Sequence, residues 1–178
     1  ALDSMLINQT VKPTEIVLVR EGQVPEVLDK LLNEYEARYP EVFYIIRLNQ
    51  NGGLGKALKL GVESAKYDIV ARMDSDDICL PNRFELQLKY LELHPNVDII
   101  GGQMTEFIDT PDNIIGKRIV PCDNEDIYDF MKNRCALNHV TVMFRKEAVL
   151  KVGNYQDWFW NEDYYLWVRM MIAKCKFA

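Results

Sequence analysis

Short β-branched runs alternate along this chain with longer runs in which apolar residues recur at intervals of three and four. Short apolar runs bounded by turn residues are typical of buried strands, and the longer spacing is typical of amphipathic helices. Pro25 and Pro40 bound one of the helical runs, because proline is poorly tolerated inside a helix. The pattern predicts helices over 2–9, 25–39, 56–65 and 164–177, and strands over 15–19, 42–48 and 68–73. This alternation predicts an α/β chain with a parallel sheet.

Composition narrows the class of protein. The 178 residues, 48% of them hydrophobic, suffice for one globular domain over 1–178. A net charge of −6 argues against a nucleic-acid partner, which needs a basic face. The four cysteines are widely spaced and form no CxxC pair, which argues against a zinc or disulfide framework and favours a reduced, cytoplasmic setting. No apolar run approaches the roughly 20 residues of a membrane span, and no signal peptide is recognised.

Three carboxylates, Asp74, Asp76 and Asp77, follow directly on the strand predicted over 68–73. Crowded carboxylates are costly to ionise unless a cation or a set of donors lies between them. Their oxygens suit Mg2+ or Mn2+, and Mg2+ typically binds one or two carboxylates together with substrate phosphates. The segment therefore predicts a site for a metal and a diphosphate. An alternative remains for one of them, because Asp76 or Asp77 could cap the helix that begins near Pro81.

A second acidic group, Glu162 and Asp163, opens the last predicted helix. A carboxylate at this place can act as a general base, or it can simply favour the helix dipole from the first turn. The residues before it include four aromatic side chains that can stack on a sugar or fill a core, namely Tyr155, Trp158, Phe159 and Trp160.

A glycine-rich loop over 51–56 joins a predicted strand to a predicted helix. Backbone amides at a helix N-terminus can approach an anionic ligand closely. The loop is not a Walker motif, because Gln50 and Ala57 stand where that motif needs a glycine and a hydroxyl. A plain tight turn would explain the glycines equally well.

Four pieces in this order together resemble a family 2 glycosyltransferase of the GT-A fold. They are the strand over 15–19, the loop over 51–57, the aspartate segment over 71–77 with 80–83, and the stretch over 161–164. The resemblance is closest to bacterial enzymes that build exopolysaccharide, capsule or O-antigen. It implies a Rossmann-like, mainly parallel central sheet with helices on both faces. It also implies an inverting transfer of a hexose from a nucleotide-diphospho-sugar, usually a UDP-sugar, to a saccharide or lipid-linked acceptor.

Three departures from the family pattern qualify this resemblance. The first strand of the fold is absent, the acidic pair at the end of the next strand is here Arg20 and Glu21, and the processive Gln-x-x-Arg-Trp signature is missing. The chain opens on a helix and stops inside an apolar helix. We therefore expect a fragment that lacks the first strand and the C-terminal end of the catalytic domain.

The resemblance assigns the aspartate segment and Asp163 to defined roles. Asp74 would contact the donor ribose, with Ser75 and Asp76 also on the nucleotide-sugar. Asp76, with Asp77, would hold Mn2+ or Mg2+. Asp163 would be the base that deprotonates the acceptor hydroxyl.

The remaining donor-side residues come from the glycine loop and the strand ends. The family places Asn51, Gly53 and Lys56 near the nucleoside. Glu21 would stand near the uracil ring and accept its N–H, or it is a solvated residue at a strand end. Arg72 would lie on the nucleotide-sugar, or it pairs with one of the aspartates.

The acceptor side is predicted to include His139, Trp160 and Glu162, which would contact the acceptor or the diphosphate. A lone histidine is, however, often structural. The same resemblance allows a homodimer and peripheral association with the inner face of the membrane. The sequence also allows two other functions, namely that of a sugar-phosphate nucleotidyltransferase and that of a non-catalytic sugar-nucleotide-binding module.

Overall fold

The computed structural model describes residues 1–178 and contains seven α-helices and seven strands. The helices are α1 (Leu2–Leu6), α2 (Glu26–Arg38), α3 (Leu54–Ser64), α4 (Arg83–Leu93), α5 (Asn124–Phe130), α6 (Lys146–Lys151) and α7 (Glu162–Ile172). The strands are β1 (Ile16–Glu21), β2 (Phe43–Leu48), β3 (Ile69–Ala71), β4 (Ile99–Ile100), β5 (Met104–Phe107), β6 (Ile114–Arg118) and β7 (Met143–Arg145). The predicted α/β class is confirmed.

The strands form one parallel pair and two antiparallel groups. β1 and β2 pair in parallel over their full length. β7 lies between β3 and β4 and runs antiparallel to both, so β3 and β4 share one direction. β5 and β6 form a separate hairpin. The predicted parallel pairing therefore holds for β1 and β2, while the sheet of β3, β7 and β4 is antiparallel, and β1 and β3 each keep one edge without a strand partner.

The largest hydrophobic core fixes the elements that carry the candidate site. It packs α7 and β7 together through Trp167, Tyr155, Phe144 and Phe177, each exposed by 2% or less. A second core lies under α4, and a third lies between α1, α2 and β2. Because close-packed interiors deform little, α7 and β7 present their polar ends from a rigid base.

The predicted C-terminal helix over 164–177 is wrong at its end, since α7 stops at Ile172. Lys174 adopts a left-handed φ of 61°, and its N–H and that of the next residue bond back to carbonyls of the last turn. This is the Schellman arrangement that commonly ends helices. The chain then returns to the sheet, where Phe177 forms a parallel bridge with Ile99 of β4.

The first helix is also shorter than the predicted 2–9, because α1 ends at Leu6. Gln9 is buried, with 2% exposure, and its side-chain nitrogen donates to the carbonyls of Ser4 and Leu80, each at 2.8 Å. These bonds tie the end of α1 to the segment that precedes α4. The other predicted elements agree with the structure within two residues, and β1 extends to include Arg20 and Glu21. None of the helices has both the length and the apolar character that crossing a membrane requires.

Candidate active site

The turn after β3 gathers the three predicted aspartates. One carboxylate oxygen of each of Asp74, Asp76 and Asp77 lies within 4.8 Å of the others. Burial, followed by the charges of Asp74 and Asp76, raises the pKa of Asp77. This is the cost expected for crowded carboxylates without a cation. The donor set, which consists of oxygens alone, fits a hard divalent ion.

The alternative role in helix capping is excluded for these aspartates. The N-cap of α4 is Asn82, and neither Asp76 nor Asp77 makes a hydrogen bond to that helix. Both carboxylates are also without any hydrogen-bond partner elsewhere in the protein.

Arg72 pairs with Asp74 in a bidentate arrangement. Its Nη1 donates to Asp74 Oδ2 at 2.7 Å, and its Nη2 donates to Oδ1. The arginine side chain is 7% exposed, so this charge lies inside the protein. Because Arg72 engages both oxygens of Asp74, Asp76 and Asp77 are the carboxylates left to bind a cation.

Arg83, to which the sequence assigned no role, holds the base of this turn. Its Nη2 donates to the carbonyl of Arg72 at 2.8 Å and to that of Val142 at 3.1 Å, and its Nε donates to Gln87 at 3.0 Å. Burial lowers the pKa of the Arg83 guanidinium. Arg83 therefore joins the aspartate turn to α4 and to the start of β7. Arg83 belongs to the stretch over 80–83 that carries the resemblance, and this was the signal in the sequence that could have identified it.

The glycine loop is held by two side-chain acceptors. Asn51 Oδ1 accepts the N–H of Gly53 at 2.9 Å, and Glu21 Oε1 accepts the N–H of Gly52 at 2.8 Å. Gly53 is the N-cap of α3 and has a φ of 96°, which favours glycine. The expectation of a merely solvated Glu21 is therefore wrong, because its carboxylate anchors this loop.

Gly55 and Lys56 contact the segment that leads to α7. A Cβ atom on Gly55 would lie 2.6 Å from the carbonyl oxygen of Gln156. Lys56 Nζ lies 3.2 Å from Asp157 Oδ2 in an exposed ion pair. Protein packing thus requires glycine at position 55, whereas Asn51, Gly53 and Lys56 as donor-binding residues stay a prediction.

Asp163 lies in the first turn of α7 with its two oxygens in different surroundings. Oδ1 accepts the N–H of Tyr164 at 2.7 Å. Oδ2 lies 3.9 Å from His139 Nδ1 and 3.9 Å from Cys135 Sγ. The side chain is 23% exposed, so one face of the carboxylate is accessible. Glu162 precedes it, partly buried and without a hydrogen bond.

His139 is largely buried beneath Asp163. Its Nε2 lies 2.9 Å from the hydroxyl of Tyr155, and burial, with the charge of Arg72, lowers the pKa of His139 to about 3. Burial raises the pKa of Tyr155. His139 therefore lies between the Tyr155 hydroxyl and Asp163 Oδ2. Sequence reasoning found His139 and missed its partner, because no local pattern joins positions 139 and 155.

The aromatic segment divides between core and surface. Tyr155 is fully buried, and Trp158 stacks on Tyr165 of α7 with ring centroids 4.5 Å apart. Phe159 and Trp160 are 83% and 82% exposed. Trp160 also has a φ of 62°, an uncommon conformation for a bulky residue. An exposed, strained tryptophan beside Glu162 and Asp163 is available to a ligand.

Comparison with known proteins gives one family. The profile described as Glycosyl transferase family 2 matches residues 2–159. The chain is 43% identical over 166 residues to the amylovoran biosynthesis glycosyltransferase AmsE of Erwinia amylovora, covering 93% of this chain and 61% of that protein. It is 36% identical over 176 residues to the UDP-Gal:alpha-D-GlcNAc-diphosphoundecaprenol beta-1,3-galactosyltransferase of Escherichia coli, covering 98% of this chain and 62% of that protein.

A solved structure with the same GT-A fold is the mannosyltransferase PcManGT of Pyrobaculum calidifontis in complex with GDP-Man and Mn2+. It superposes with a TM-score of 0.70 at 15% identity, over 99% of this chain and 48% of that chain. The chain thus spans about three fifths of the length of the two curated relatives named above.

Proposed function

The chain belongs to glycosyl transferase family 2, and on that basis we propose that the full-length protein transfers a hexose from a UDP-sugar to a lipid-linked saccharide. The transfer inverts the anomeric configuration, needs a divalent cation and serves cell-surface polysaccharide synthesis. The observation that carries the proposal is that the aspartate turn and Asp163 both lie against the segment over 139–142, because the N–H of Arg72 donates to the carbonyl of Val142 at 2.9 Å and His139 Nδ1 lies 3.9 Å from Asp163 Oδ2. A cation-binding turn and a general base would then border one reaction site.

The names of the relatives support the donor and the acceptor class. The relative at 36% identity is named for UDP-Gal and for an acceptor on diphosphoundecaprenol, and the relative at 43% identity is named for amylovoran biosynthesis. The solved neighbour holds GDP-Man and Mn2+, but at 15% identity it supports the fold alone. We therefore favour uridine as the base of the donor nucleotide.

In the proposed reaction Asp163 Oδ2 accepts the proton of the acceptor hydroxyl. The hydroxyl oxygen attacks the anomeric carbon from the face opposite the nucleoside diphosphate, the bond to the diphosphate breaks, and the nucleoside diphosphate leaves. One proton moves to Asp163. The new glycosidic bond to the acceptor replaces the bond between the anomeric carbon and the diphosphate. Because the attack is a single displacement, the configuration at the anomeric carbon inverts.

Asp76 and Asp77 would hold the divalent cation, since they are the carboxylates of the turn that no protein donor engages. The cation would supply positive charge to the departing diphosphate. Glu21, whose Oε2 has no partner in the protein, and Lys56 would contact the nucleoside side of the donor. His139, Trp160 and Glu162 border the acceptor side of this proposal. The family match favours a glycosyltransferase over a sugar-phosphate nucleotidyltransferase. The carboxylates at positions 76 and 163 favour an enzyme over a non-catalytic sugar-nucleotide-binding module.

Thermal unfolding of the full-length protein tests donor and cation together. UDP, GDP, CDP and dTDP are each compared with Mn2+ and with EDTA, and UDP with Mn2+ should raise the unfolding temperature most, since a ligand that binds only the native state stabilises it. Asp76→Asn should remove the part that depends on Mn2+. Asp112→Asn, at an exposed aspartate between β5 and β6, is the matched control and should respond like the wild type. Equal stabilisation by UDP in EDTA would contradict the proposed dependence on a divalent cation.

Transfer assays test the base. Asp163→Asn keeps the shape and removes the proton acceptor, so transfer should fall by roughly 10²–10⁴-fold while UDP affinity is retained. Near-normal turnover would contradict the role of Asp163 as a base and leave it only the role of an acidic residue that stabilises the first turn of α7. NMR of the product should show inversion, and retention of configuration would exclude direct displacement.

A further inference from the structure

The Tyr155 hydroxyl lies within hydrogen-bond distance of the His139 imidazole. The Tyr155 side chain is fully buried, and burial raises the pKa of its hydroxyl, which therefore keeps its proton. At an oxygen to Nε2 distance of 2.9 Å either group can donate, and we take the phenol as the donor because its buried proton has no other acceptor in the protein. The imidazole is neutral, since burial lowers its pKa to about 3, so its single hydrogen lies on Nδ1. The ring also packs edge-on against Trp167, with centroids 5.9 Å apart.

The hydrogen on Nδ1 faces Asp163. Nδ1 lies 3.9 Å from Asp163 Oδ2, which is beyond a hydrogen bond but within reach of a small rotation of the carboxylate. Catalytic hydrogen bonds are often long in the absence of substrate and shorten in the complex. Oδ1 is already held by the N–H of Tyr164, so Oδ2 is the oxygen left to accept a hydrogen bond from Nδ1–H. Cys135, whose thiol keeps its proton because burial raises its pKa to about 11, borders Oδ2 on another side.

We propose that Tyr155 and His139 form a positioning pair for Asp163, in which the Tyr155 hydroxyl holds the imidazole as the Nδ1–H tautomer and Nδ1–H orients Oδ2 toward the acceptor hydroxyl. This inference rests on the proposed function of Asp163 as the base. His139 takes no proton and touches no substrate in this arrangement. A neutral donor orients the carboxylate without forming an ion pair with it.

The tautomer is tested without any activity measurement. Long-range ¹H–¹⁵N correlation spectra of the full-length protein with ¹⁵N-labelled histidine distinguish Nδ1–H from Nε2–H. His139→Gln, which removes the signals of this residue, identifies them among those of the other histidines. We expect His139 as the Nδ1–H form at neutral pH, and Tyr155→Phe should shift it toward the Nε2–H form. A dominant Nε2–H form in the wild type would overturn the proposal.

A pair of substitutions at position 139 tests the role in catalysis. The amide nitrogen of asparagine lies as many bonds from Cα as Nδ1 does, and that of glutamine as many as Nε2 does. His139→Asn should therefore keep a donor for Asp163, whereas His139→Gln keeps only a partner for Tyr155. We expect kcat to fall about 10- to 100-fold in His139→Gln, the scale of a misplaced reacting group, and only a few-fold in His139→Asn. The KM for the donor should stay within twofold in both.

Several outcomes separate this inference from the proposed function. An inactive wild type would overturn the proposed function and, with it, the role of the pair. An active wild type with equal losses of kcat in the two His139 variants would overturn the pair alone, as would a loss confined to donor KM. If His139→Asn fails to fold because the Tyr155 hydroxyl is left unpaired, the comparison is made with Tyr155→Phe present in both variants. His94→Asn and His94→Gln control for general effects of these replacements.

Discussion

Gly55→Ala should destabilise the protein through a single steric contact. The new Cβ would lie 2.6 Å from the carbonyl oxygen of Gln156 and 3.0 Å from two further backbone atoms of residues 156 and 157. Contacts this short with backbone atoms can be relieved only if the segment before α7 moves. Overpacking of this kind costs about 1–3 kcal/mol of unfolding free energy.

Gly61→Ala supplies the matched control, because Gly61 lies on the same helix, α3, at a site with room. Its Cβ would meet the nearest atom, a methyl group of Val19, at 3.7 Å, an ordinary contact. Both substitutions remove a helical glycine, and in a helix interior alanine is favoured by up to about 1 kcal/mol. The difference between the two variants therefore approximates the steric cost, with Gly55→Ala the less stable by about 1–3 kcal/mol.

Urea unfolding of the two variants and the wild type measures this difference, provided that the m-values agree. Equal stability of Gly55→Ala and Gly61→Ala would refute the contact between the glycine loop and the segment before α7. Since that segment also carries Tyr155, Gly55→Ala should lower transfer activity more than Gly61→Ala does.

Two further predictions concern protonation and thiol exposure. Burial lowers the pKa of His139 to about 3, so below about pH 6.5 the unfolded chain binds a proton that the folded chain does not, and unfolding free energy should fall by about 2 kcal/mol from pH 7 to pH 5. Urea unfolding of His139→Gln at the two pH values should lack this loss, and an identical pH dependence in both proteins would show that the imidazole is solvated. Of the four thiols only Cys122 is exposed, so a thiol reagent should label one cysteine rapidly in the native protein, and Cys122→Ser should abolish that fast phase.

Local sequence signals predicted most element positions but not which faces are covered. Pro25 and Pro40 flank α2, and its apolar residues recur at helical spacing as predicted. Within that stripe, however, Leu32 is 4% exposed and Val27 is 81% exposed. Periodicity shows which side of a helix is apolar, and only the tertiary fold decides how much of that side another element covers.

The end of α7 was misjudged for a related reason. Helices that end in a left-handed residue usually carry glycine there, and this one carries Lys174. Without that signal, the apolar residues up to Phe177 read as one helical run. Phe177 is apolar because it fills the core beside β4, which a pattern along the chain cannot distinguish from a helical position.

The candidate site shows the same division between local and distant information. The three aspartates were predicted to cluster because they are neighbours in sequence, and the structure brings their oxygens together. The contact of Gly55 with Gln156 joins residues that are far apart in the sequence. The contact of His139 with Tyr155 joins residues that no sequence motif links. The glycine-rich loop was predicted to approach a ligand. At least one of its glycines, Gly55, is instead required by close packing against the backbone of Gln156.

The arginines of the site explain why a bound cation belongs in the proposed function. From the sequence, Arg72 was expected on the nucleotide-sugar or paired with an aspartate, and Arg83 had no assigned role. In the structure Arg72 is engaged by Asp74, and the buried guanidinium of Arg83 is engaged by two backbone carbonyls and by Gln87. Breaking these bonds would leave a largely buried guanidinium without its partners, which costs more than an exposed ion pair returns. In the proposed function, positive charge for a diphosphate at this turn would therefore come chiefly from an ion held by Asp76 and Asp77.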